Sequence, residues 1–234
     1  MTTKMPTVRH TSADEWREIR DLRLTALRDP AAPVAFLESY EEAAARPDDF
    51  WKVRARGNST SEVVAGFVAV DEDGRWMGTV TGLVEEPGAM DVLGQPVERH
   101  QVQIVGVFVR PEDRGVGLLG RLIDGLLDWA RGRGIERARM GVHVDNPRAR
   151  AAYAKLGFTP SGLRFNSRAG RGARAGPGAV TGVCRRRWRA RPPHRVAGLL
   201  QSGCGAPPYA VTFERRPEEH PVCPIAQAEA VLQN

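Results

Sequence analysis

The segment that most constrains the fold runs from Val107 to Leu122 and reads VFVRPEDRGVGLLGRL. The run QVQIVGVFV at residues 101–109 predicts a strand ended by Pro111, and residues 114–131 predict a long amphipathic helix. The first turn of a helix has N–H groups with no partner inside the helix, and the helix dipole places partial positive charge there. Glycines let an anion approach that backbone closely. The segment therefore predicts a site for a phosphate or pyrophosphate.

The elements around this segment alternate between helix and strand. The predicted helices are residues 15–27, parts of 36–51 broken at Pro47, 114–131, and a short one from Asn146-Pro147 to Gly157; the predicted strands are 62–70, 75–84, 101–109 and 137–144. A strand, a long helix and a strand in succession predict a right-handed parallel crossover, whereas the first two strands predict an antiparallel hairpin. The sequence therefore predicts a mixed α/β (α+β) domain, with a mixed central sheet and flanking helices.

Composition divides the chain near residue 160. The whole chain has 234 residues and a formal net charge of +6. Residues 1–160 have 22 basic and 24 acidic side chains, whereas residues 161–234 have 12 Arg, no Lys, no Asp and 4 Glu. The latter are also rich in Gly and Pro, which disfavours a packed core. We therefore predict a domain over 1–160 and a basic, Arg/Gly/Pro-rich, poorly ordered extension over 161–234. An out-of-frame origin of that extension is a second interpretation.

The sequence excludes several classes of protein. No apolar run reaches about 18 residues, so no membrane partner is expected. The three cysteines, Cys184, Cys204 and Cys223, lack the close spacing of a metal site, and no metal is expected. The first 160 residues contain no cysteine, which suits a reducing compartment, and we expect a cytoplasmic protein.

The glycines of the loop are compatible with three interpretations. Gly115, Gly117 and Gly120 spell G-x-G-x-x-G, the dinucleotide-binding fingerprint. In a Rossmann unit, however, the first glycine follows the strand almost at once, whereas residues 110–114 intervene here. A flexible surface loop is the second interpretation. A Walker A loop is excluded because no Gly-Lys-Ser/Thr follows.

The third interpretation comes from a resemblance. Val107–Leu122, followed by GVHVDNPRARAAYAKLGF at Gly141–Phe158, resembles the GCN5-related N-acetyltransferase (GNAT) family. The cofactor loop of that family reads Gln/Arg-x-x-Gly-x-Gly/Ala, and Arg114 and Gly117 match its first two fixed positions. The second stretch matches the family's order at Val144, Asn146, Ala149, Tyr153, Gly157 and Phe158. The resemblance covers about residues 5–160 and implies a GNAT-like acyl-CoA N-acyltransferase fold. The last position of the family's loop pattern is a small residue, whereas this chain has Leu119 there. We expect the side chain of Leu119 to turn into the core.

The resemblance also implies a cofactor and its binding residues. Acetyl-CoA would be the acetyl donor, with its pyrophosphate on the amides of Arg114, Gly115, Gly117, Leu118, Leu119 and Gly120. Its pantetheine arm would lie along Phe108, Val109 and Arg110. Asn146 would cap the following helix and contact the same arm. Tyr153 would protonate the departing thiolate, because a phenol of pKa about 10 is a suitable acid for a thiol of pKa about 8.5. A tyrosine that only packs is the alternative.

The resemblance implies direct attack of a neutral primary amine, on a small molecule or a protein, upon the thioester. Many family members use a Glu as base where this chain has Gln103, which accepts no proton, so His100, Glu98 and Glu38 are alternative bases. The acceptor itself is not readable from the sequence. A largely acidic segment is expected to attract a cationic amine; its residues are Glu38, Tyr40, Glu41 and Glu42.

The basic extension supports a different class of function. Arg185, Arg186 and Arg187 precede Trp188, and such a patch favours contact with nucleic acid, which we expect to be non-specific. The alternative function is therefore a non-catalytic CoA-binding or Arg-rich nucleic-acid-binding protein on a degraded GNAT fold. A homodimer is left open.

In the family one or two strands follow Phe158, and we expect residues 163–166 to begin one and residues 209–215 to form the last.

Overall fold

A computed structural model describes residues 5–91, 96–166 and 180–187, which form a seven-stranded sheet with helices on both faces. The elements in chain order are β1 (Thr7–His10), α1 (Trp16–Leu27), α2 (Tyr40–Ala44), α3 (Asp48–Thr60), β2 (Val64–Val70), β3 (Trp76–Glu85), β4 (Gln101–Val109), α4 (Leu118–Arg131), β5 (Arg137–His143), α5 (Pro147–Lys155), β6 (Thr159–Asn166) and β7 (Val180–Arg187). Short 3-10 turns lie at Ala32–Val34 and Pro111–Asp113.

The strands lie in the order β1-β2-β3-β4-β5-β7-β6. The β4–β5 pair is parallel and the other neighbouring pairs are antiparallel, so the sheet is mixed. The parallel pair is joined through α4, which is the crossover that the sequence predicts. The predicted hairpin is confirmed as β2 and β3.

The parallel pair separates after a few residues. Only Val102–Ile104 of β4 pair with Ala138–Met140 of β5, although β4 continues to Val109. The second half of β4 therefore has an edge, facing β5, that is not paired with any strand in the part of the chain that the structure describes.

A β-bulge accompanies this separation. On β3, Thr79 pairs with Phe108 and Thr81 pairs with Val105, so Gly106 and Val107 together oppose one residue. Gly106 has a φ of 60°, which a residue with a side chain rarely adopts. A bulge bends its strand and increases the local twist. The bulge therefore turns the second half of β4 away from β5 and opens a gap at the centre of the sheet.

Apolar helix faces cover both sides of the sheet. On one side, the fully buried leucines of α4, among them Leu122 and Leu126, pack on the strands. A Cβ built on Gly82 of β3 would lie 2.6 Å from Cδ1 of Leu126, so the small residue allows the helix to approach closely. On the other side, α1 to α3 form a second core that includes Leu22 and Trp51. The two layers hold the ends of β4 and α4 in place.

Four elements differ from the sequence predictions. The four-residue strand β1 was not predicted, and the helix after Pro47 continues to Thr60. Beyond residue 160, where the sequence predicts the extension, β6 and β7 belong to the same sheet. The predicted strand start at residues 163–166 falls within β6, whereas residues 209–215 lie outside the described part of the chain. Arg185–Arg187 are the last three positions of β7, and Trp188 lies outside the described residues.

Candidate active site

A cleft of about 1190 Å³ lies at the gap between β4 and β5. Its walls come from the second half of β4, the N-terminal end of α4, the residues around Asn146 and Tyr153, and the segment between α1 and α2. The cleft therefore brings together the cofactor residues that the resemblance implies, with the exception of Arg110.

The N-terminal end of α4 is open to an anion. Gly117 is the N-cap, has a φ of 80°, and has no side chain to cap the helix. The first helical hydrogen bond runs from the Arg121 N–H to the Gly117 carbonyl at 3.3 Å, so the preceding N–H groups, from Leu118 to Gly120, have no partner within the helix. A Cβ on Gly115 or Gly117 would meet no described atom within 4 Å. This turn is a cradle of free N–H groups with space in front of it.

Leu119, where the family has a small residue, is half-buried. It packs against the main core and also lines the cleft. Gly120, the next residue, faces α5, where an added Cβ would lie 3.2 Å from Cδ2 of Leu156. The small residue at position 120 thus allows α4 and α5 to meet beside the cradle.

An ion pair holds the loop before the cradle. Nη1 and Nη2 of Arg75 donate to Asp113, with distances of 3.0 Å to Oδ2 and 2.9 Å to Oδ1 respectively. The Arg110 N–H donates to the carbonyl of Met77 at 2.9 Å, and its Nε donates to the carbonyl of Trp76 at 2.7 Å. Both of these donors of Arg110 are therefore engaged on β3 instead of facing the cleft.

Arg114 has a structural contact that the sequence did not indicate. Its Nε donates to the carbonyl of Val109 at 2.9 Å, and its Nη2 donates to the buried carboxylate of Asp29. Burial acts to raise the pKa of Asp29, but hydrogen bonds from Arg114 and from the Ala31 N–H outweigh it and hold that pKa below its usual value. The side chain of Arg114 thus ties the end of β4 to the segment after α1.

Asn146 and Tyr153 lie on the opposite wall of the cleft. Oδ1 of Asn146 accepts the Ala149 N–H at 3.1 Å, so its predicted role as a helix cap is confirmed. Tyr153 is buried and packs edge-on against Phe158, with ring centroids 6.2 Å apart. It lines the cleft, so the ring is both a core residue and part of the site.

The end of the cleft nearest α1 to α3 contains several charged side chains. Nε and Nη2 of Arg23 donate to Oε2 of Glu38 at 3.2 and 3.0 Å. Nε of Arg46 lies 3.9 Å from Oε1 of the same carboxylate, and Arg54 of α3 is 6% exposed and lines the same end. Glu38, predicted to attract a cation, is therefore already neutralised by arginines that the sequence analysis did not single out.

The sequence pattern of the Acetyltransferase (GNAT) family matches residues 16–158 of this chain. These residues include the glycine loop, the two strands beside the gap and the second wall of the cleft. The chain belongs to the GNAT family. The members of this family are described as acetyltransferases.

Among individual relatives of this GNAT chain is the mycothiol acetyltransferase of Beutenbergia cavernae. It is 40% identical over 60 residues, which are 26% of this chain and 20% of that protein. This chain therefore matches only about a fifth of the length of that relative.

Solved structures share the fold at low sequence identity. A GNAT-family acetyltransferase from Streptococcus pneumoniae matches with a TM-score of 0.59 and 15% identity, over 78% of this chain and 99% of that one. The yncA protein of Salmonella typhimurium, solved with its cofactor acetyl-CoA, matches with a TM-score of 0.58 and 16% identity, over 83% of this chain and 100% of that one. The PaiA N-acetyltransferase from Thermoplasma acidophilum, in complex with coenzyme A, matches with a TM-score of 0.54 and 13% identity, over 79% of this chain and 100% of that one.

The structure separates the candidate bases of this GNAT chain. Gln103 is buried and lines the cleft, and Glu38 lines it with Arg23 as its partner. His100 lies 3.2 Å from a carboxylate oxygen of Glu86 and, like Glu98, is not among the described residues that line the cleft.

Two further findings concern the described residues alone. Within residues 5–91, 96–166 and 180–187, no three His, Cys, Asp or Glu side chains are grouped as metal ligands would be. None of the helices in those ranges combines the length and the apolar character needed to cross a membrane.

Proposed function

We propose that the chain transfers an acetyl group from acetyl-CoA to a primary amine at this cleft. One observation carries the proposal: the uncapped end of α4 and the unpaired second half of β4 open onto the same cleft. A helix end supplies N–H donors to a phosphate, and a strand edge supplies donors and acceptors to an extended amide chain. Coenzyme A has both parts, joined in that order.

The residues present fit this cofactor. The N–H groups from Leu118 to Gly120, with Gly115 and Gly117 before them, would hold the pyrophosphate, because nothing in the described residues occupies the space beside those glycines. The edge of β4 from Val105 to Val109 would hold the pantetheine arm. Arg110 is left out of this set because it bonds to β3. Arg114 holds the loop in shape through Asp29.

Acetyl-CoA, when bound, supplies a thioester whose carbonyl carbon is open to attack by an amine. The chain would orient the amine in the cleft and exclude water with the buried rings of Tyr153 and Phe158. The Tyr153 hydroxyl would give its proton to the sulfur as the carbon–sulfur bond breaks, and general acid catalysis of this kind contributes about 100-fold or more to a rate. The amine would give up its proton to bulk water before it enters the cleft, because Gln103 cannot act as a base, and solvent would restore the proton of Tyr153 after the product leaves.

We propose that residues 1–160 form the acetyltransferase domain. Residues 1–160 carry the residues of the site, and β6 and β7 complete their sheet. We propose that the protein works in the cytoplasm, a location supported by the absence of cysteine from residues 1–160.

A turnover assay tests the proposal. The full chain is incubated with acetyl-CoA and a panel of amines, and both free thiol and N-acetyl product are measured, the product by mass spectrometry. Tyr153→Phe should lower kcat by about 100-fold with no change in the Kd for acetyl-CoA, because only the acid is lost. Tyr40→Phe, on α2, is the matched control and should be unaffected, because Tyr40 is not among the described residues that line the cleft and its hydroxyl accepts a hydrogen bond from Arg28. Unchanged turnover in Tyr153→Phe would remove that residue from the chemistry, and thiol release with no N-acetyl product would contradict amine acetylation.

A further inference from the structure

Arg54 is a buried cation with incomplete hydrogen bonding at the acceptor end of the cleft. Its side chain comes from the middle of α3 and is 6% exposed, and its Nη1 has no hydrogen-bond partner in the described part of the chain. The guanidinium lies 5.9 Å from the ring of Trp51, a weak contact. A buried charge normally has a partner, because removing it from water is costly. The position of Arg54 thus calls for an anion that the described chain does not provide.

The nearby carboxylate does not supply that anion. Oε2 of Glu38 accepts two hydrogen bonds from Arg23, and Oε1 lies 3.9 Å from Nε of Arg46. Glu42, which is exposed, also lines the cleft, so Arg23, Arg46 and Arg54 outnumber the two carboxylates and leave an excess of one positive charge. Burial, followed by repulsion from Arg23, lowers the pKa of Arg54 to about 10 although Glu38 acts to raise it, and Arg54 is still charged near neutral pH.

We propose that the acceptor carries a carboxylate as well as its amine, and that Arg54 binds this carboxylate. The inference rests on the proposed acetyl transfer and adds the substrate class: small amino acids in the broad sense, not polyamines or uncharged amines. A planar guanidinium matches a carboxylate in a paired geometry, which gives orientation as well as affinity. The excess positive charge would repel a polycation, contrary to the attraction expected from Glu38 in the sequence.

Matched acceptors test the substrate class. Each of a series of α-, β- and γ-amino acids is compared with its own amide, which keeps the amine and removes the negative charge, and spermidine represents polycations. We expect kcat/KM to be about tenfold or more higher for the acid than for the amide, as a charged hydrogen bond is lost in the amide. Equal or higher kcat/KM for amides or spermidine would overturn the inference.

A substitution at Arg54 tests the residue. Arg54→Met keeps an unbranched apolar side chain and removes the guanidinium and its charge, and Arg56→Met, on the exposed side of the same helix, is the matched control. We expect Arg54→Met to raise KM for the amino acid about tenfold or more and to abolish the preference over the amide, with Kd for acetyl-CoA unchanged. It should unfold at the same or a higher denaturant concentration, because a buried unpaired charge is lost. A purely structural Arg54 would instead lower stability and leave the preference intact, which would refute the proposal.

Failure of this inference and failure of the proposed function give different results. Acetylation of amides or spermidine alone contradicts the carboxylate and leaves the acetyl transfer standing. Absence of acetyl-CoA binding in calorimetry contradicts the proposed function itself. Acetyl-CoA binding without acetylation of any amine in the series counts against both.

Discussion

Replacing Gly117 by Glu should abolish tight CoA binding with little effect on the fold. Gly117 is the N-cap of α4, and an added side chain would enter the open space in front of the first-turn N–H groups. That space is where the pyrophosphate is proposed to lie. The new carboxylate would therefore place negative charge directly beside a negative ligand.

Gly117→Glu has two effects, one on the affinity for CoA and one on the stability of the fold. Two like unit charges about 5 Å apart, in surroundings of effective dielectric about 20, repel by about 3 kcal/mol, which corresponds to a loss of roughly 100-fold in affinity. Independently, the φ of 80° at Gly117 is unfavourable for any residue with a Cβ, and the cost to folding is about 1–2 kcal/mol. The first contribution acts on binding and the second on stability, so the two are measured separately.

Gly134→Glu is the matched control. Gly134 follows the other end of α4, has a φ of 73°, and has no described atom within 4 Å of an added Cβ. A helix of 14 residues separates the two sites by about 21 Å. Calorimetric titration with CoA should show a roughly 100-fold higher Kd for Gly117→Glu and an unchanged Kd for Gly134→Glu, with similar losses of stability in urea. Equal Kd values for the two variants would refute the position of the pyrophosphate site.

Three further substitutions test the framework of the site. Asp29→Asn should destabilise the protein by roughly 2 kcal/mol near neutral pH, through the lost charged hydrogen bond from Arg114. The pKa of Asp29 is lower in the folded than in the unfolded chain, so its contribution is complete above about pH 4 and is lost as pH falls through the folded value; urea unfolding at two pH values should show the difference between the variants shrink in acid. Leu126→Ala, in the core against Gly82, should cost about 3 kcal/mol in the same assay, and a cost below about 1 kcal/mol would contradict the close packing. Asn146→Ala should cost about 1 kcal/mol through loss of the cap on the Ala149 N–H, and an unchanged stability would show that the cap contributes nothing.

The parts of the fold with strong local patterns were predictable from the sequence. Helix α4 repeats its leucines at helical spacing, and β4 is an apolar run ended by Pro111. Strand β1, in contrast, has four residues, two of them Arg9 and His10, and it is recognised only by its pairing with β2. Strand β7 lies in a stretch whose composition resembles the rest of the extension, so no local signal separates it.

The proposed cofactor side of the site was also easier to predict than the proposed acceptor side. A glycine loop between a strand and a helix is a local signal, whereas the contacts of Asp29 and Arg54 depend on segments far apart in the chain. Asp29 meets Arg114 across 85 positions of sequence. Arg54 lies in a polar helix segment, WKVRARG, where an arginine is expected to face water. Only the packing of α3 against the sheet reveals that this side chain is buried.

A crystal structure of the full chain with acetyl-CoA is the most direct test of the proposed cofactor site. The pyrophosphate should lie within hydrogen-bond distance of the N–H groups from Leu118 to Gly120, with the pantetheine arm between β4 and β5 and the thioester beside Tyr153. The cofactor in another position, or none at a concentration that saturates other GNAT proteins, would contradict the account.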